Sequence, residues 1–234
     1  IYDVGIAPGL SNALLMAVQT ENGPLDSAKI WVGGNPQEPD EEWSYMAPFS
    51  PSDVIEEYTR PARIRRGGEL RTEAALSERH PVIVPGYGHM EAFLTDGVRS
   101  LLDTIDCEEL VEYTVRWPGH IQRYLEGDYS EEDLIEAWTF NPQRPEFTWL
   151  AVEVRSENGT QRWDVIDEGK EGWSSMARTT GLVTVEVAEI LAENLIPESG
   201  VMPPERLGED PELLDRLVNA LRHAGVEIHS SSEE

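Results

Sequence analysis

Residues 147–166 read "FTWLAVEVRSENGTQRWDVI". Leu150, Val152 and Val154 alternate, the period of a strand with one face on a core. Asn158-Gly159 suits a tight turn, whose central residues need positive φ. The stretch predicts a long antiparallel hairpin.

Working outward, "KIWVGG" (29–34), "EWSYMA" (42–47) and "LVEYTVRW" (110–117) have strand character, and "VEIH" (226–229) is a further short strand. "ARIRRGGELR" (62–71) predicts a hairpin around Gly67-Gly68, and "VIVPGYGHMEAF" (82–93) two short strands broken by Gly86 and Gly88. Helices are expected at "SPSDVIEEY" (50–58), with Ser50 as cap and Pro51 at the first position. Others are expected at "TDGVRSLLDTI" (95–105) and at "SEEDLIEAW" (130–138), where Ser130 and Asp133 form a capping pair. A long helix at 175–195 carries Val183, Val187, Ile190 and Leu191 on one face, and another spans 213–223. The opening "IYDVGIAPGLSNALLMAVQ" (1–19) reads as a strand end, a Pro-Gly loop and a helix capped by Ser11, and the tail at 230–234 as disordered. Strands and helices without strict βαβ alternation predict an α+β fold with a mixed, largely antiparallel sheet.

Composition limits the partners. Among 234 residues, 45 acidic groups face 18 basic ones for a net charge of −27, and only Lys29 and Lys170 are lysines. Nucleic acid and anionic membranes require a basic face, so neither is expected. Cys107 is the single cysteine, which rules out a disulfide within the chain and fits a reducing, cytoplasmic setting. None of the five histidines pairs at i,i+4 or joins a cysteine at ligand spacing, so no metal site is expected.

Four stretches concentrate Gly or Pro beside polar groups: "DVGIAPGLSN" (3–12), "HMEAFLTDG" (89–97), "TVRWPGH" (114–120) and "SMARTTG" (175–181). In the third, a strand delivers Arg116 and a Pro-Gly corner turns His120 back beside it, giving a carboxylate fork and a proton-transfer group. The alternative is that Arg116 pairs with a surface carboxylate and His120 caps the next helix. Arg178 with Thr179 and Thr180 is a second anion-holding candidate at a helix start, and Glu91 and Asp96 are candidates for a substrate ammonium.

Taken with "VGGNPQ" (32–37), "EEYTRPARIRRGGE" (56–69), "MEAFLTDGVRSLL" (90–102) and "ARTTG" (177–181), these stretches resemble the C-terminal catalytic domain of saccharopine dehydrogenase-like oxidoreductases. That group includes lysine 6-dehydrogenase and carboxynorspermidine dehydrogenase. The resemblance covers nearly the whole chain. It departs where Phe49-Ser50 replaces a Trp-Ser pair, where Val115 and Trp117 replace leucine and tyrosine, and at 126–146, where no motif aligns. It implies hydride exchange between NAD or NADP and the C–N bond of an amino-acid substrate such as saccharopine or lysine. The cofactor would be held mainly by a separate N-terminal Rossmann domain, of which residues 1–20 are the end and connecting helix, with 21–229 the catalytic and dimerisation domain of a homodimer. His120 and Asp3 are then the candidate catalytic groups. Gly5, Pro8, Gly9 and Asn12 approach the cofactor, and Arg116, Glu91, Asp96, Arg178, Thr179 and Thr180 hold substrate. An inactive binding or dimerisation module of the same family is the alternative.

So many carboxylates repel one another in dilute buffer, whereas salt screens them over roughly 3 Å at 1 M, which suits a halophilic source. Raising KCl from low to molar concentration is expected to raise the melting temperature in a thermal-melt series; a flat or falling trend would mean an ordinary acidic protein.

Overall fold

The computed structural model of the chain describes residues 1–233. In chain order its elements begin with α1 (Leu10–Asn22), β1 (Leu25–Pro36), α2 (Pro51–Thr59), β2 (Ala62–Arg66) and β3 (Glu69–Glu73). A second hairpin, β4 (His80–Val84) and β5 (Gly88–Leu94), leads through α3 (Leu101–Thr104) into β6 (Cys107–Arg116). Two short helices, α4 (His120–Glu126) and α5 (Glu131–Ala137), precede the long hairpin of β7 (Glu146–Ser156) and β8 (Gly159–Glu168). The chain then forms α6 (Ser175–Ala192), a 3₁₀ turn at Pro204–Leu207, α7 (Pro211–His223) and β9 (Glu227–Glu233).

The strands make one nine-stranded sheet in the order β3-β2-β6-β1-β7-β8-β9, with β5 joining β6 and β4 outside it. Only β1 and β6 run parallel; every other pair is antiparallel. The fold is therefore α+β with a mixed, largely antiparallel sheet. The 147–166 hairpin forms in register, closing at Ser156↔Gly159.

β7 is buried on both faces, so its inward and outward residues enter different cores. Leu150, Val152 and Val154 meet Leu14 and Val18 of α1, Val183 and Val187 of α6, and Leu217 and Leu221 of α7. On the other face Phe147, Trp149 and Ala151 meet Val84 and Met90 of the β4–β5 hairpin. Tyr87 at its turn stacks on Phe147 with ring centroids 3.5 Å apart. A third cluster of Trp43, Tyr45, Tyr58, Phe93 and Trp138 lies among α2, α4 and α5.

Several expectations are corrected. Residues 1–4 are irregular rather than a strand end, and the α1 cap is Gly9, with Ser11 buried inside the first turn. Gly9 has φ of 130°, and a Cβ there would lie 2.1 Å from the Gly5 carbonyl, so only glycine fits. Residues 42–47 form no strand: their period-two apolar pattern buries Trp43 and Tyr45 in the third cluster, while the Asp40 carboxylate accepts from the Glu42 and Ser44 amides. The helix expected at 95–105 shrinks to Leu101–Thr104, because 95–100 forms a loop. α6 ends at Ala192, and Leu191 is exposed. The tail is not disordered through 233: Ser230 to Glu233 pair with Trp163 back to Thr160 at the sheet edge, while residue 234 lies outside the described residues.

Gly208 closes the contact of the 3₁₀ turn with α1, where a Cβ would stand 2.0 Å from the Ala13 carbonyl oxygen. Its own backbone is unstrained at φ of −86°. Gly208→Ala is thus a purely steric probe, expected to cost about 1–3 kcal/mol in urea unfolding.

Candidate functional site

A strand points every second side chain the same way. β6 therefore aims Glu112, Thr114 and Arg116 at one cavity of about 320 Å³. Opposite stand Glu57 from α2, Arg60 just beyond its end, and Asp96, Gly97 and Arg99 from the loop after β5. A second cavity of about 450 Å³ is bounded by residues 3–8, Ala177 and Thr180, and it shares Ala7, Pro8, Phe49, Arg99 and Met176 with the first.

Arg116 is only 2% exposed. Its Nε donates to the Tyr58 hydroxyl at 2.9 Å, Nη2 to the Tyr45 hydroxyl at 3.2 Å and Nη1 to the Val115 carbonyl at 3.0 Å. The guanidinium also lies 4.4 Å from the Tyr45 ring centroid. Burial pushes the Tyr45 hydroxyl up to about 12 and Tyr58 well above its usual value, so both partners stay neutral. Among the described residues no carboxylate lies within ion-pair distance of Arg116. A buried, unpaired charge is costly, and this one faces a cavity with two of its five N–H groups uncommitted.

His120 sits behind Tyr58. Its Nδ1 lies 3.0 Å from the Trp43 carbonyl oxygen, which can only accept, so Nδ1 carries the hydrogen and Nε2 accepts from the Tyr58 hydroxyl at 3.1 Å. Hydrogen bonds thus run from Arg116 through Tyr58 and His120 to the Trp43 backbone. Burial, with the Arg116 charge adding to it, lowers the imidazole to about 3, and the ring is neutral at physiological pH.

Glu112 is 5% exposed and has no hydrogen-bond partner for Oε2. Burial pushes its carboxyl up to about 8, helped by the charges of Glu57 and Asp96. Glu57 in turn accepts from Thr114 Oγ1 at 2.5 Å, and Thr114 meets Thr95 at 2.8 Å.

A family model for the saccharopine dehydrogenase C-terminal domain matches residues 5–127 and 128–226. The chain belongs to this family. Apo saccharopine dehydrogenase (L-Glu forming) from Saccharomyces cerevisiae has the same fold: 15% identity, a TM-score of 0.70, 97% of this chain covered and 71% of that one. A dehydrogenase from Clostridium difficile aligns over 91% of this chain and 61% of its own at 12% identity, with a TM-score of only 0.31. The family makes this a dehydrogenase-type domain.

Of the residues that the sequence singles out in this family domain, Arg116 and Asp96 line the first cavity, and Asp3, Gly5, Pro8 and Thr180 the second. Others lie apart. Asp96 is held by Arg63 through both carboxylate oxygens, and Asp3 by Arg99. Glu91 stands across from Arg116 in the β5–β6 register but pairs with Arg79. Arg178 is tied to Asp167 and to the Ala224 carbonyl, and Thr179 bonds back to the Ser175 carbonyl within α6, so neither is free to hold an anion. Asn12 is buried against Gly9, Ser100 and Glu205, where it braces α1 instead of facing a ligand. His120 lies outside both cavity linings and orients Tyr58. Glu57, Glu112, Thr114, Tyr45 and Tyr58 were missed; Glu112 and Thr114 could have been flagged by the alternation Glu112-x-Thr114-x-Arg116 on an expected strand.

A histidine buried neutral contributes stability above pH 6.5 and loses it as pH falls toward its lowered value near 3. His120→Asn is expected to lower the melting temperature at pH 7 through lost packing, yet to lose less than the wild type between pH 7 and pH 4. Parallel melts across that range read the difference in slope.

Proposed function

We propose that this chain is the substrate side of an NAD(P)-dependent oxidoreductase that makes or breaks the C–N bond of an amino-acid substrate, with saccharopine and lysine as the leading candidates. The observation that carries this is Arg116, a buried guanidinium at a cavity wall with neutral partners and no carboxylate of its own. A substrate carboxylate completes it, because the planar fork pairs bidentately with such a group. The acidic side of the same cavity, with Glu57 and Glu112, suits the nitrogen end of such a molecule.

The adjoining cavity supports the pairing of substrate and cofactor. Val4, Ile6, Ala7, Pro8 and Met176 give it apolar walls of the kind that a nicotinamide ring requires, and the shared border would bring two ligands together. Residues 3–8 and Thr180 would hold the nicotinamide end; the family resemblance assigns the rest of the dinucleotide to a separate nucleotide-binding domain. When bound, the cofactor supplies or accepts the hydride. The chain's own residues then orient and exclude water: Tyr58 and Tyr45 fix the Arg116 fork, and His120 fixes Tyr58. Asp3 keeps Arg99 at the common border. A homodimer in a salt-rich cytoplasm completes the proposal, resting on the resemblance, the acidic composition and the lone buried Cys107.

In the complete enzyme, Arg116→Lys keeps the charge and loses the fork. We expect kcat/KM to fall about tenfold or more, about 1.4 kcal/mol per decade, with cofactor affinity near wild type and a lower melting temperature, because an ammonium cannot reproduce the guanidinium's bonds to Tyr45, Tyr58 and Val115. Steady-state kinetics with saccharopine and lysine, followed by nicotinamide absorbance, test this. An active enzyme indifferent to the change removes the clamp, and a wild type without turnover on any amino-acid substrate favours the inactive module.

A further inference from the structure

We infer that Glu112 is the group that exchanges a proton with the substrate nitrogen, a role resting on the C–N oxidoreductase reading above.

The geometry carries this. Glu112 lies on the same face of β6 as Arg116, two strand repeats away, so a molecule clamped at the guanidinium extends along the cavity toward the carboxyl. Among the described residues its carboxyl has no hydrogen-bond or ion-pair partner, although most buried side-chain polar atoms have one. Space for it is reserved: a Cβ on Gly97 would stand 1.7 Å from Glu112 Oε1. Gly97 is not in the left-handed region, so its missing side chain serves the close approach rather than backbone conformation. A buried acid left without a partner weakens the fold, and the charges of Glu57 and Asp96 add to that cost, which Arg99 offsets only in part.

Those neighbours come from each surrounding element. α2 presents Asp53 and Glu57, with Arg60 just beyond its end; the loop after β5 presents Asp96 and Arg99; β6 itself presents Arg116. Glu57 is engaged by Thr114, Asp96 by Arg63, and Arg99 by Asp3. Burial and the charges of Glu57 and Asp96 hold the Glu112 carboxyl up at about 8, so it keeps its proton at neutral pH. In the reductive direction its O–H bond breaks and an N–H bond forms on the nitrogen of a C=N substrate. This leaves a carboxylate and an iminium whose carbon accepts hydride from reduced nicotinamide. In the oxidative direction the carboxylate recovers that proton from nitrogen.

Two measurements on the complete enzyme test the assignment. Infrared difference spectroscopy should show the C=O band of a protonated carboxylic acid at pH 7 that fades through about pH 8 and is missing from Glu112→Gln. In kinetics, Glu112→Gln should lower kcat by about 10²-fold or more and remove the limb of the pH profile near 8, with Glu112→Asp recovering part of the rate. Gly97→Ala, which pushes the carboxyl aside, should cost activity in the wild type and add little in a Glu112→Ala background, where the space is vacant. Because this cycle uses neither Gln nor Asp, it decides the matter even if one of those variants folds poorly. Glu112→Gln turning over within about threefold of an active wild type, with the limb intact, overturns the assignment and leaves the functional reading standing. A wild type that acts on no C–N substrate removes both.

Discussion

The Arg116 guanidinium must be buried without a counter-ion, and much of the molecule is arranged around that requirement. Its solvation is replaced by the hydroxyls of Tyr45 and Tyr58, the Tyr45 ring face and its own neighbour's carbonyl. Tyr58 can accept from Arg116 only if its own hydrogen goes elsewhere, and His120 takes it while donating to the Trp43 backbone. The ring of His120 lies among Trp43, Tyr45 and Trp138. One cation thus fixes α2, the start of α4 and the irregular segment 43–47, which explains why such a segment packs as tightly as a helix would.

Local chemistry made much of the fold legible. Asn158-Gly159 and Gly67-Gly68 mark hairpin turns that form, Ser50-Pro51 opens α2, and Ser130 with Asp133 makes a reciprocal cap on α5. These signals need only neighbours in the chain. Two of the failures share a cause, which is that a deciding partner lies far away in sequence. The alternation Trp43-x-Tyr45-x-Ala47 resembles a strand, yet it is answered by Trp138 and His120. Ser230 to Glu233 look too polar to order, but β8 leaves an open row of backbone groups that any sequence can pair with.

The site followed the same rule. Arg116 stood out because cations are scarce in this chain, whereas Glu112 is hidden among 45 acidic residues until the strand face and the cavity single it out. Arg178 looked equally exposed to ligand, and nothing near it in sequence revealed that Asp167 at the end of β8 would occupy it. Rarity of a residue type and orientation on an element are separate signals, and Arg116 is where they coincide at a cavity wall.

The edge of β6 away from β1 is shared by two strands, and the division is unequal. β5 takes residues 113–116 through four paired positions, while β2 is joined by the single position Arg65↔Leu110. The β2–β3 hairpin is otherwise fastened by the Gly68 amide donating to the Glu108 carbonyl and by side chains, among them Arg63 to Asp96, Arg66 to Glu78 and Glu109, and Arg65 to the carbonyls of Leu102 and Ile105. The slab from β6 to β9 is held by continuous backbone ladders that ionic strength does not touch, but the ion pairs in this fastening are screened by it. The salt that relieves repulsion across the surface therefore loosens one flap of the sheet, and that flap follows directly on α2, the helix that carries Glu57 and Tyr58. Fastening at the cavity's outer wall and stability of the whole are thus expected to respond to salt in opposite senses within one molecule.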